Sequence, residues 1–164
     1  MVKCFAWERP DGGISTRYPA YNNRDRPVGD TDEALRERAV ARDSTYLNEK
    51  YGVCVPHECD SADLPVDDYF FSAWAWAGTE VNVNMTKARV IHMDVIRTAR
   101  NAELVAKDIT FMRAVESGDT DAQSTIATEK QVLRDIPATF DITTGVDTPE
   151  KLKAKWPTEL PARE

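Results

Sequence analysis

This 164-residue chain has little of what most chemistry requires: two histidines, three cysteines and seven glycines. It also lacks an excess of positive charge, with 21 basic side chains against 28 acidic ones and a net charge of −7. Non-specific nucleic-acid binding rests on clustered Lys and Arg, so nucleic acid is not an expected partner. No apolar run approaches the roughly 20 residues that span a bilayer, which argues against a membrane partner. Residues 1–8 are too short and too polar for a signal peptide. A protein made and kept in a reducing cytoplasm is therefore expected.

The few chemically capable residues form no complete constellation. Cys54, His57 and Cys59 put two thiols and an imidazole within six residues, and Cys4 could add a fourth ligand. Zinc favours tetrahedral thiolate and imidazole sets, but the usual signature has two such pairs and only one is present here. A nucleophilic cysteine with His57 or His92 as base would need an activating feature, and none is legible. A Cys54–Cys59 disulfide fits the spacing but not a reducing compartment. His92 reads as a histidine on the surface or boundary of a helix. Asp63, Asp67 and Asp68 match no calcium loop and read as a solvated loop. Gly12-Gly13 lies inside a hairpin rather than between a strand and a helix, so it is no phosphate cradle. The expectation is a protein with no catalytic residue, no metal and no cofactor.

What is present is pattern. Apolar residues make up 41% of the chain, enough for a modest core in one ordinary domain or two small ones. Residues 3–7 and 14–18 flank Pro10-Asp11-Gly12-Gly13 and predict a β-hairpin. A polar loop at residues 22–27 follows. Asp30 or Thr31 caps a short helix whose Ala34, Leu35, Ala39 and Val40 form a weak apolar stripe. Residues 51–55 read as a strand and residues 60–68 as a loop. Trp74 and Trp76 stand two apart, so on a strand they share one face. That face suits a core, and tryptophan is also enriched at binding hot spots. Val81 and Val83 alternate with Asn82 and Asn84 in a half-buried strand pattern, and Asn84 is placed to cap what comes next.

Residues 85–137 predict two long helices. Ala88, Ile91, Val95, Ala99, Ala102, Ala106, Ile109 and Met112 recur at steps of three or four, which puts them on one side of a helix. Ser117-Gly118-Asp119 supplies a stop and a restart. Ala122, Ile126 and Leu133 mark the second helix, and Pro137 ends it. So short a turn predicts an antiparallel hairpin. Arg97 and Arg100 are surface neighbours on the first helix. They either pair with Asp94 and Glu103 or anchor an acidic partner. Thr148 and Pro149 start a last short helix that Trp156-Pro157 ends. The fold class expected is α+β, with a β-rich domain over residues 1–84 and a helical hairpin with a C-terminal tail over residues 85–164. The first part carries nine basic and fifteen acidic side chains and the second twelve and thirteen, so the acidity lies in front. A solvated acidic surface is the plain reading, and a basic partner surface the alternative.

Several of these stretches resemble the tail fibre assembly, or tail assembly chaperone, families of phages and prophages. The likeness runs over residues 60–157. It is carried by Phe71-Ser72-Ala73-Trp74, by Val81-Asn82-Val83-Asn84-Met85-Thr86-Lys87-Ala88, by Ile96-Arg97-Thr98-Ala99-Arg100-Asn101 and by Leu133-Arg134-Asp135-Ile136-Pro137. The families' aspartate–tryptophan pair is not reproduced, since Ile109 follows Asp108. The resemblance implies a non-enzymatic protein that works in the host cytoplasm, covering surface on a tail fibre or other tail protein until that partner assembles. The alternative is a structural subunit retained in the virion tail. Arg97, Arg100, Arg134, Trp74 and Trp76 are the residues expected to meet the partner, and self-association is left open.

Overall fold

The structure, a computed structural model, describes residues 3–19 and 27–163. Residues 22–26 of the expected polar loop lie outside the described residues. The fold is α+β, and the chain divides into two compact units, Met1–Asn84 and Met85–Glu164.

In the first unit β1 (Lys3–Glu8) is the centre of an antiparallel sheet, between β2 (Ile14–Arg17) and β3 (Val55–Asp60). Its residues Cys4, Phe5, Ala6 and Trp7 are all buried, because alternate side chains point to opposite faces and both faces are covered. Cys4 and Ala6 join Ile14, Cys59, Leu64, Trp74 and Val81 in one cluster. Phe5 and Trp7 join Leu47 and Cys54 in another. The β1–β2 turn is closed by Arg9 and Gly13, with Gly12 at φ 68° and the Asp11 carboxylate accepting from the Gly13 amide at 2.8 Å.

α1 (Asp32–Tyr51) starts at Thr31, whose hydroxyl accepts from the Ala34 amide. It is 20 residues long, not short, and it takes in the start of the expected strand at residues 51–55. Gly52, at φ 88°, ends it, and the Asn48 side chain accepts from the Cys54 amide at 2.7 Å. The strand therefore begins only at Val55. Leu47 is the buried residue of α1, while Ala34, Leu35, Ala39 and Val40 are half-buried.

The expected loop at residues 60–68 contains a 3₁₀ turn at Ser61–Asp63, and a second turn, Asp68–Ala73, starts at its end. Asp67 caps the second by accepting from the Tyr69 amide. β4 (Trp74–Trp76) then pairs with β5 (Val81–Val83). Trp74 and Trp76 do share a face: with Val81 and Val83 they pack against the Cys4–Ala6 side of the core.

The second unit begins with α2 (Met85–Glu116), an unbroken helix of 32 residues that passes straight through Asn101. It holds no glycine or proline, and at about 1.5 Å per residue it is about 48 Å long. Gly118, at φ 70°, makes the turn, and Asp119 caps α3 (Thr120–Thr139) by accepting from the Ala122 amide at 2.9 Å. Pro137 does not end α3, which continues two residues beyond it. Without an N–H, Pro137 removes one bond to the carbonyl four residues back, and the helix runs out within a turn of it. Met93 and Ile96 of α2 pack with Leu133 and Ile136 of α3 and with Leu160. Two ion pairs tie the helices further along, Lys107 with Glu129 at 2.5 Å and Lys130 with Asp108. The Asp141 carboxylate accepts from the Thr143 hydroxyl at 2.6 Å, and the side chains and then the amides of Thr143 and Thr144 hold it well below the usual carboxylate range. α4 (Pro149–Ala154) starts with Thr148 accepting from the Lys151 amide.

Candidate protein-binding surface

α2 has two apolar faces, and the described residues cover only one of them. At about 100° per residue, Ile96 and Ile109 stand about 140° apart around the helix. Ile96 is fully buried, whereas Ile109 is 54% exposed. The buried side of α2 is Ala88, His92, Met93, Ile96 and Ala114. The stripe singled out by its period is buried only at Ala88 and half-buried at Ile91, Val95 and Ala99. It then runs out into solvent through Ala102, Ala106, Ile109 and Met112, with the exposed Val105 beside it. The stripe is therefore not the packed side of α2. α3 offers few large buried side chains, Leu133 and Ile136, and they bury more area against Met93 and Ile96 than against a row of alanines.

The first half of the stripe lies in an open groove of about 950 Å³, whose floor includes Ile91, Val95, Ala99 and Ala102 and whose far wall is Trp156 with residues 161–163. That wall is fastened in place. The Trp156 indole donates to the Pro161 carbonyl at 2.9 Å, and the Arg163 guanidinium lies over the indole ring at 5.3 Å and donates to the Lys153 carbonyl. Leu160 is buried in the α2–α3 core beneath it. Asp94 and Glu103 edge the groove.

The expected partner residues are distributed unevenly. Trp74 is 6% exposed and sits in the core of the first unit, so it offers a partner no surface. Trp76 is half-buried, its indole stacked on the His57 ring at 4.1 Å and 6°. Arg97 is exposed and donates to Asp94 at 2.7 Å, as the paired alternative required. Arg100 donates to the Asn101 side chain at 3.0 Å. Arg134 is exposed on α3. The tryptophans belong to the first unit and the arginines to the second.

His92 is not a surface or boundary residue. It is fully buried, with Nε2 donating to the Lys155 carbonyl at 2.7 Å, which ties α2 to the end of α4. Burial lowers its pKa, the bond to Lys155 works against that, and Arg163 lowers it further. Sequence could not place it, because the segment that covers it lies 63 residues away.

The three cysteines are free and buried. Cys4 and Cys59 face each other across β1 and β3 with sulfurs 3.0 Å apart, and burial first, then the neighbouring Cys59, pushes the Cys4 thiol well above its usual pKa. Cys54 lies in the other cluster, bonded to backbone carbonyls of Leu47 and Gly52. Cys54, His57 and Cys59 are thus not brought together as a ligand set. Among the described residues no group of three or more His, Cys, Asp or Glu side chains is placed to hold a metal ion. No described helix is long and apolar enough to cross a membrane. Comparison with protein-family models, with curated proteins and with solved structures finds no match to this chain.

Proposed function

We propose that this chain is a non-enzymatic protein-binding module of a phage tail, assisting assembly of a tail fibre or other distal tail component. In this reading α2 and α3 form an antiparallel helical hairpin, and the outward face of α2 meets the partner. The observation that carries the binding role is the row of exposed large apolar side chains Val105, Ile109 and Met112, continuous with the groove at Ile91 to Ala102. A soluble protein keeps such a row only where something covers it at work. The hairpin geometry is supported by the two ion pairs, Lys107 with Glu129 and Asp108 with Lys130, each spanning 22 residues centred on the 117–119 turn, so that the chain folds back on itself there. The tail setting is supported by the likeness of residues 60–157 described above. Mechanistically, the apolar row shields complementary surface on the partner, keeping exposed strand edges from mispairing until that partner has trimerised or docked.

The test is co-expression of the chain with the fibre protein encoded beside it. Val105→Glu combined with Ile109→Glu is expected to abolish co-purification while the helical signal is unchanged. Arg97→Glu combined with Arg100→Glu is expected to weaken it less. Undiminished co-purification of the apolar variant would remove α2 from the binding role. Mass spectrometry of mature particles separates an assembly factor, which is absent, from a retained tail subunit, which is present at fixed copy number.

A further inference from the structure

The geometry points to a second copy of this chain as an occupant of the α2 face, bound antiparallel about a two-fold axis at Ala102. This inference rests on the reading of that face as a protein-binding surface and names its partner.

Two independent features of the face are self-complementary. The first is shape. The half of the stripe before Ala102 lies in the groove walled by Trp156, whereas the half after it carries the projecting Val105, Ile109 and Met112. An antiparallel second copy seats its projecting half in the first copy's groove, and the reverse happens at the other end. A parallel copy would set groove against groove. The register follows from the spacing: with Ala102 on the axis, Val95 meets Ile109 and Ile91 meets Met112. Ala102 itself is small and exposed, which lets the two helices approach where they cross.

The second feature is charge. Within about 80° of Ala102 around the helix, at about 100° per residue, α2 carries four charged residues, in the order Lys87, Asp94, Arg113, Glu116. Read along the helix the signs are plus, minus, plus, minus. Reversed, they become minus, plus, minus, plus. Antiparallel pairing therefore sets Lys87 opposite Glu116 and Asp94 opposite Arg113, in the apolar register to within about one helical turn. Parallel pairing sets like charges together. An isologous contact of this kind repeats each pair on both sides of the axis. Asp94 also holds Arg97 of its own chain, and its carboxylate is exposed enough to serve both.

Sedimentation of the full chain and oxidative cross-linking test this. The wild type is expected to form a dimer with a micromolar or tighter Kd. Ala102→Cys is expected to give a disulfide-linked dimer on mild oxidation, while the wild type, whose cysteines are all buried, gives none. Arg113→Glu should weaken dimerisation about tenfold, since two pairs turn repulsive. Adding Asp94→Arg in the same chain should restore it. A monomeric wild type, a trimer, or a dimer indifferent to Ile109→Glu and to both charge changes would overturn the inference. If the chain is monomeric yet Val105→Glu with Ile109→Glu still loses the fibre protein, the second copy is refuted and the binding face stands. If neither association depends on the face, both readings fall.

Discussion

Replacing Ile96 and Ile109 in turn by alanine separates the two faces of α2. Ile96 is fully buried between Met93, Leu133 and Ile136, whereas Ile109 is 54% exposed. Removing three carbons from a closed core site costs about 2–5 kcal/mol, transfer and cavity contributions together. At an exposed site the change stays within about 0.5 kcal/mol, and the better helix propensity of alanine offsets part of that. With a urea slope of about 1–2 kcal/mol per molar, Ile96→Ala should lower the unfolding midpoint of the helical signal by about 1 M or more. Ile109→Ala should leave it almost unchanged. The assay is urea unfolding followed by far-ultraviolet circular dichroism, at a protein concentration low enough that self-association adds nothing. Equal losses for both variants, or a larger loss for Ile109→Ala, would refute the assignment of faces and with it the exposed stripe.

The other outcomes concern buried groups. His92 has a lowered pKa in the folded chain, so between that value and about 6.5 the unfolded chain binds more protons. Stability is then greatest above about pH 6.5 and falls on acidification, by up to about 1.4 kcal/mol per pH unit for one proton. His92→Gln should flatten that dependence, and an unchanged pH profile would contradict the burial of His92. The Cys4 thiol, buried and raised in pKa beside Cys59, should resist iodoacetamide at pH 8 in the folded protein and react once urea is added. Rapid labelling of Cys4 before unfolding would show that the β1–β3 pairing opens easily.

The legibility of this chain divides along physical lines. Local signals were readable: the Asp11-Gly12 turn, the Thr31 and Thr148 caps, the shared face of Trp74 and Trp76, and the helical period of α2 and α3. The side of α2 that would be covered was not. Ile91, Val95, Ala102 and Ile109 have the helical period, but so do Met93, Ile96 and Leu104, and period alone cannot say which row meets α3. The size of the side chains was the available clue, because large residues bury more area than alanines. The length of α1 was hidden for a different reason. Its sequence is charged throughout, with Leu47 alone fully buried, so tertiary packing rather than amphipathic pattern holds it. His92 and the wall built on Trp156 depend on a contact between α2 and the C-terminal tail, far apart in sequence. The groove was invisible for that reason, although Ile91, Val95, Ala99 and Ala102 of its floor all belong to the apolar stripe.

The central claim is that the outward face of α2 binds protein. Site-specific photocross-linking tests it most directly, with a benzophenone amino acid at position 109, and at position 124 on exposed α3 as the control. The fibre protein is co-expressed and the cross-linked product is identified by mass spectrometry. The expected result is a cross-link from position 109 to a second copy of the chain or to the fibre protein, and none from position 124. No product from position 109, or equal products from both positions, would contradict the account.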